Sequence, residues 1–390
     1  MTRSRRCLFA WAILWLNLVW PAIADESGLV EDTSPLRIEI DHHRYSVEAF
    51  IARPERGARF PVMVITHGSL PLKLGVGNTD PQWARTMASR GWLAVAVSRR
   101  GFGNSEGANR SGSGWCDHPD AQGSLNHQAV DIEAALVAIS TRHDADMTRI
   151  VLMGRSMGGP LMLAVAARGK VPVSAVVNVS GGIRLWSRKD GIVACEAFEQ
   201  DMAESFRRMG QDLRIPTLWI YGETDELFPP DLARRYRDAF VAGGGRAEFV
   251  IFPKADWTGH GMFNNRQGQQ HMLPLIDQFA ENNALPGVDR DFESRVLARL
   301  NSADQALGRK YVREVMNEKA LAAADGGGRG AAWWEYDGSH QEAMRRAVSE
   351  CEKWHHANCH LVAVNNTLTG GDETGIGPHT LSISVIPPGQ

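Results

Sequence analysis

The sequence predicts an α/β fold on a mostly parallel, doubly wound sheet, followed by a small C-terminal α+β module. Two observations predict it. Short, almost wholly apolar runs recur at Val62–Thr66, Trp92–Ser98, Ile150–Gly154, Val173–Val179, Thr217–Tyr221 and Glu248–Phe252, as strands buried on both faces do. Segments with apolar residues at helical spacing lie between several of them. Strand and helix alternating in this way wind a parallel sheet covered by helices.

The chain opens on a targeting pattern. Arg3, Arg5 and Arg6 precede an apolar run, Cys7–Trp20, broken once by Asn17. Ala22-Ile23-Ala24 then offers a small-x-small cleavage site before Asp25-Glu26. This is the layout of a signal peptide spanning residues 1–24. The run has 14 residues, short of the roughly 20 that cross a bilayer as a helix. The expectation is an exported protein, periplasmic or secreted, with no stable membrane span after cleavage. The formal net charge is −3, against a dedicated nucleic-acid binder, which needs a concentrated basic face.

At 390 residues the chain fits two units better than one. The first is expected over residues 36–285. Leu36–Ile40 and Tyr45–Ala52 alternate around Asp41–Arg44 and read as an antiparallel hairpin. Gln128–Ser140 places Ile132, Ala135, Leu136 and Ile139 on one helical face; Pro160–Ala167, Asp231–Ala242 and Gln270–Asn282 are similar. Two connections are long, Gly103–Asn126 and Gly181–Arg214, the second with an amphipathic stretch near Glu196–Met209. Each follows the C-terminal end of a strand, the edge where parallel sheets bind ligands. The second unit is expected over residues 287–390. It reads as a charged helical pattern at Asp291–Leu307, a flexible Gly/Ala-rich stretch at Ala324–Ala332, a helix at Ser339–Trp354 and a strand at Cys359–Asn365. Gly370–Gly377 and Pro387–Gln390 read as turns and tail.

The chemistry begins at Ile150–Gly159, I-V-L-M-G-R-S-M-G-G. A buried strand runs into G-x-S-x-G and a helix follows, which is the nucleophile elbow. Ser156 is the expected nucleophile, because the strained turn lifts its hydroxyl above the sheet edge. In elbow enzymes the acid and then the histidine follow the serine. Asp225, leaving the end of the Thr217–Tyr221 strand, is the expected acid, with Glu223 as the alternative. His260, between Gly259 and Gly261, is the expected base. His271 lies beyond that loop. The oxyanion needs two N–H donors. The expected ones are the backbone groups of Met157, directly after the nucleophile, and Ser69, after His67-Gly68. His67 precedes Ser156 in the chain and reads as a loop-fixing residue.

These segments, with Ser98-Arg99-Arg100-Gly101-Phe102-Gly103-Asn104-Ser105-Glu106-Gly107, Asn178–Gly182 and Leu218–Gly222, resemble α/β-hydrolases. The nearest in pattern are exported dienelactone-hydrolase-related proteins and prolyl-oligopeptidase-like enzymes. The resemblance covers roughly Leu36 to Leu285. It implies the α/β-hydrolase fold and ester or related acyl hydrolysis through an acyl-enzyme, on a small-molecule ester or peptide. The R-G-x-G-x-S-x-G stretch is a structural turn in that superfamily, and Ser98 stands where an aspartate is usual. True dienelactone hydrolases use cysteine where Ser156 stands, which counts against that substrate. The aspartate of dehalogenases and epoxide hydrolases is also absent from the elbow.

Carboxylic-ester hydrolysis is the leading function. A serine peptidase of prolyl-oligopeptidase-like type is the alternative, weakened because those enzymes usually carry a large N-terminal propeller. A non-catalytic envelope binding protein is the other alternative. No cofactor is expected, and no H-E-x-x-H zinc motif or dinucleotide fingerprint occurs. Cys116, Cys195, Cys351 and Cys359 remain after signal cleavage, and an even number in an exported chain suggests disulfides. Three pairings are possible. Cys116 and Cys195 lie in the two long connections at one sheet edge, which suggests a bridge between them. Cys351 and Cys359, with His355 and His360, also make a conceivable zinc set; an oxidising compartment favours a Cys351–Cys359 disulfide instead.

Overall fold

The computed structural model describes residues 28–69, 79–187, 193–314, 318–325, 330–334 and 339–369. The expected leader and the tail segments after residue 369 lie outside the described residues.

Strand β1 (Leu29–Asp32) comes first, then the hairpin β2 (Leu36–Ile40)–β3 (His43–Val47). The hairpin pairs Ile40 with His43. Asp41 and His42 between them sit at φ 51° and 64°, as a two-residue type I′ turn requires. The alternation over Tyr45–Ala52 is therefore not one arm. It divides after Val47, and β4 (Ala49–Pro54) leaves the hairpin with Ala49–Ala52 all buried. Four consecutive buried positions need cover on both faces, which a hairpin packed on one face does not offer.

The chain continues with β5 (Phe60–Thr66), α1 (Pro81–Ala88), β6 (Leu93–Val97), α2 (Ala121–Ser140), β7 (Ala145–Arg155), α3 (Gly158–Ala167) and β8 (Val173–Val179). A two-residue pair, β9 (Trp186–Ser187) and β10 (Val193–Ala194), precedes α4 (Glu196–Asp212), β11 (Pro216–Gly222), α5 (Pro230–Ala242), β12 (Arg246–Phe252) and α6 (Arg266–Asn282). The central sheet has eight strands in the order β1-β4-β6-β5-β7-β8-β11-β12. β4 is antiparallel to both β1 and β6, and every pairing from β6 to β12 is parallel. This is the mostly parallel sheet the apolar runs predict. Helix α2 starts seven residues before its clearest periodicity, because Asp120 caps it by accepting from the Gly123 N–H at 2.9 Å.

One core packs Leu125, Ile132, Leu136, Leu161, Phe206 and Tyr236 beneath helices α2 to α5. The opposite face is covered by α1 and α6, through Trp83, Met87, Met272, Ile276 and Phe279. Each fully buried side chain of this size stabilises the fold by about 1.5–3 kcal/mol. The C-terminal edge of the parallel strands carries the long connections.

The C-terminal unit comprises α7 (Arg290–Leu297), α8 (Gln305–Arg313), β13 (Lys319–Ala324), β14 (Gly330–Trp334), α9 (His340–His355), β15 (Cys359–Val364) and β16 (Thr367–Leu368). Its antiparallel sheet runs β14-β13-β15-β16. The helical pattern over Asp291–Leu307 breaks after Leu297, where Asn301 caps a short 3-10 turn, Ser302–Asp304, by accepting from the Asp304 N–H at 3.0 Å. The Gly/Ala-rich stretch Ala324–Ala332, expected to be flexible, begins and ends in strands: Ala324 closes β13 and Gly330–Ala332 open β14. Alanine is a poor strand former, but Ala320, Ala322 and Ala324 are the small residues against which Ala343, Ala347 and Cys351 of α9 pack. The module docks on the larger unit through Arg90. Its Nε donates to Asp277 at 2.8 Å and an Nη donates to the Arg313 carbonyl at 3.1 Å.

Candidate active site

Ser156 stands between β7 and α3 at φ 52°, a left-handed conformation that costs an L-residue roughly 1–2 kcal/mol. Close backbone packing imposes it. A Cβ on Gly154 would lie 2.1 Å from the Gly158 carbonyl oxygen, and one on Gly158 would lie 2.6 Å from that of His67. The Ser156 N–H donates to the Val179 carbonyl at 2.9 Å. Its own carbonyl accepts from Gly159 N–H at 2.9 Å and Gly182 N–H at 3.2 Å. The Gly181–Gly182 segment is held in turn by Tyr221, whose hydroxyl donates to the Gly181 carbonyl at 2.7 Å.

Asp225 lies just past β11, 2% exposed. Its Oδ1 accepts from the N–H groups of Leu227 at 3.0 Å and Phe228 at 2.9 Å. Both carboxyl oxygens are 3.2 Å from His260 Nδ1, and His260 Nε2 is 3.1 Å from Ser156 Oγ. With Nδ1 donating to Asp225, Nε2 of the neutral ring is left to accept from the Ser156 hydroxyl. Glu223 is exposed and turned elsewhere, its Oε2 accepting from the Lys254 N–H at 2.6 Å.

The His260 loop is anchored on several sides. Thr224 and Thr258 share a hydroxyl contact at 2.8 Å. A Cβ on Gly222 would sit 1.8 Å from the Thr258 carbonyl oxygen, so only glycine lets the acid strand and the histidine loop approach this closely. Trp257 stacks on His271 with ring centroids 4.4 Å apart, which gives His271 a place as a loop anchor. Phe228 packs on the His260 ring at 5.4 Å. Glu226 accepts from the His260 N–H at 3.4 Å. Nothing in the linear pattern singled out Glu226 or Phe228. They reach the histidine only because the turn after Asp225 folds back.

His67 is fully buried. Its Nδ1 donates to the Gly68 carbonyl at 2.7 Å and its Nε2 accepts from the Arg99 N–H at 3.1 Å. Burial first, and the Arg99 charge second, hold His67 well below its ordinary pKa, so the ring is neutral in one tautomer. Gly68 abuts the nucleophile: a Cβ there would lie 2.8 Å from Ser156 Cβ. Ser69 follows Gly68 directly and is half-buried, and Met157 is buried at the N-cap of α3.

The two long connections meet. Cys116 and Cys195 are joined by a disulfide, with Cα atoms 5.3 Å apart. The Ala121 N–H donates to Asp201 of α4 at 2.8 Å and ties the same two segments again. Cys195 belongs to the same apolar core as Met157, Ile183 and Phe228, and its N–H donates to the Leu185 carbonyl at 3.1 Å. In the C-terminal unit Cys351 and Cys359 are joined, with Cα atoms 6.1 Å apart. Neither thiol of the conceivable zinc set is then free to ligate. His360 Nδ1 contacts Asp325 at 2.7 Å instead. Among the described residues no group of three His, Cys, Asp or Glu is arranged to hold a metal ion, and no helix is long and apolar enough to cross a membrane.

The sheet order and the elbow define a hydrolase of the α/β type. A model of the dienelactone hydrolase family matches residues 47–284, and the chain belongs to that family. It is 23% identical to a candidate carboxymethylenebutenolidase of Methylorubrum extorquens, over 66% of this chain and 85% of the relative. A candidate carboxymethylenebutenolidase of Escherichia coli O157:H7 is also 23% identical, over 68% of this chain and all of the relative. Among solved structures, a candidate dienelactone hydrolase of Klebsiella pneumoniae superposes with TM-score 0.43 and 20% identity, over 63% of this chain and 97% of that one. An acylaminoacyl peptidase of Pyrococcus horikoshii superposes with TM-score 0.47 and 18% identity, over 66% and 42%.

Proposed function

We propose that this hydrolase is an exported serine esterase that cleaves a carboxylic ester through an acyl-enzyme. The observation that carries the reading is the contact chain from Asp225 through His260 Nδ1 and Nε2 to Ser156 Oγ, at 3.2 and 3.1 Å. Ser156 Oγ attacks the ester carbonyl carbon while its proton passes to His260 Nε2. The carbonyl electron pair moves onto oxygen, where the N–H groups of Met157 and Ser69 receive it. When that pair returns, the carbon–oxygen bond to the alcohol breaks and His260 Nε2 protonates the leaving oxygen. Water repeats the sequence on the acyl-enzyme and releases the acid. Asp225 keeps the Nδ1 proton in place and stabilises the imidazolium.

Matched p-nitrophenyl esters and peptide p-nitroanilides, assayed beside a fluorophosphonate label, test this. Ester turnover with labelling is expected. Faster anilide turnover would make the protein a peptidase, and neither turnover nor labelling would leave it a binding protein.

Export is supported by the N-terminal pattern and by the four cysteines that lie beyond it, an even number. The Cys116–Cys195 bridge would hold both long connections in one arrangement at the C-terminal edge of the sheet and stabilise the fold by about 2–4 kcal/mol. Sequencing and non-reduced peptide mapping of protein from its native host should return an N-terminus near Asp25 and a Cys116 peptide joined to Cys195. A chain starting at Met1 or Thr2 counts against export. A free Cys116, or one joined to Cys351 or Cys359, counts against the bridge.

A further inference from the structure

We propose that Arg99 is a positioning residue for the oxyanion hole, a role that rests on the serine-esterase reading above. Arg99 is 1% exposed. Its Nη1 donates to the His67 carbonyl at 2.6 Å and to Thr66 Oγ1 at 3.1 Å, and its Nη2 donates to the Gly68 carbonyl at 2.8 Å. The fork therefore grips two successive carbonyl oxygens of the loop that abuts Ser156. The guanidinium lies over the Phe102 ring at 4.8 Å, and Phe102 meets the His67 ring edge-on at 4.6 Å. Asp131 accepts from Arg100 at 2.7 Å, and its charge also favours the Arg99 cation.

Peptide geometry turns this grip into an orientation. Across a trans peptide the C=O and the following N–H point in opposite directions. With the Gly68 oxygen drawn to Arg99 Nη2 and His67 Nδ1, the Ser69 N–H is aimed the other way. Two donors on one carbonyl use both its lone pairs, so that peptide plane cannot rotate freely. The His67 carbonyl on Nη1 fixes the Gly68 N–H likewise. The cation also polarises the peptides it holds, which strengthens their N–H groups as donors toward a negative oxygen. Lysine, a point charge without the planar fork, cannot hold both carbonyls in the same way.

The experiment compares the parent enzyme with Arg99→Lys and Arg99→Gln on a short p-nitrophenyl ester and a trifluoromethyl ketone, whose hemiketal oxygen occupies the oxyanion site. Removing an oxyanion donor costs about 100–1,000-fold in kcat. A misaimed donor should cost about 30-fold, with KM changed less than about threefold and ketone affinity falling in step with kcat/KM. The variants should still melt cooperatively. Should Arg99→Gln fail to fold, Arg99→Lys carries the test, because it keeps the charge. Failure of both variants to fold would make Arg99 a core-building residue and overturn the role. So would kcat within threefold of the parent, or a loss confined to KM. An inactive parent, or labelling that survives Ser156→Ala, counts against the esterase reading instead.

Discussion

Ser156→Ala should abolish fluorophosphonate labelling and lower ester turnover by about 10⁴-fold or more, as loss of a triad nucleophile does. That corresponds to about 5.5 kcal/mol of transition-state stabilisation. The substitution should leave the fold intact. Ser156 is held by its backbone, through Val179, Gly159 and Gly182, and its side chain adds the His260 contact. Alanine must still adopt φ near 52°, a strain the serine already bears. His260→Ala should cost a similar factor, and the double variant scarcely more, because the two residues act as one unit. Labelling retained by Ser156→Ala would place the nucleophile elsewhere.

Asp225→Asn is the second large effect. It should lower kcat by about 10³–10⁴-fold. An amide at this position can present its NH₂ to His260 Nδ1, which favours the tautomer with the proton on Nε2, where it cannot accept from Ser156. The turn at Asp225 supplies a control. Asp225 Oδ1 also accepts from Leu227 and Phe228 N–H, and the asparagine oxygen can retain those bonds, so the melting temperature should move little. Glu223→Gln alters a side chain on the Lys254 backbone and should stay near parental activity. If Glu223→Gln proves the more damaging of the two, the acid is misassigned.

How much of the site could be read from the chain depends on the range of the force that builds it. The elbow is local. Gly154 and Gly158 are required by contacts within a few residues of Ser156 or with the strand directly beside it, so a short motif carries the information. Histidine between two glycines after an apolar strand is nearly as local, although that strand, β12, lies at the sheet edge and is only partly buried. The two acids are different. Glu223 and Asp225 both follow the same strand, and only the fold back through Leu227 and Phe228 turns one toward His260. Arg99 is harder still. Within its own segment it is part of a turn, and its grip on His67 and Gly68 exists because β6 and β5 are parallel neighbours.

Hydrophobic period and turn chemistry act over a few residues, so the sequence by itself determined the parallel sheet, the elbow, the type of each catalytic candidate and their order along the chain. Tertiary packing decided the rest. It divided the hairpin arm at Val47, where burial changes from one face to two. It made a strand of the alanine-rich segment Lys319–Ala324, whose small side chains admit α9. It also selected which carboxylate meets His260 and which arginine holds the loop beside Ser156. The last two choices rest on contacts between residues 31 and 35 positions apart, and no local pattern encodes a distance that only the assembled sheet brings within hydrogen-bonding range.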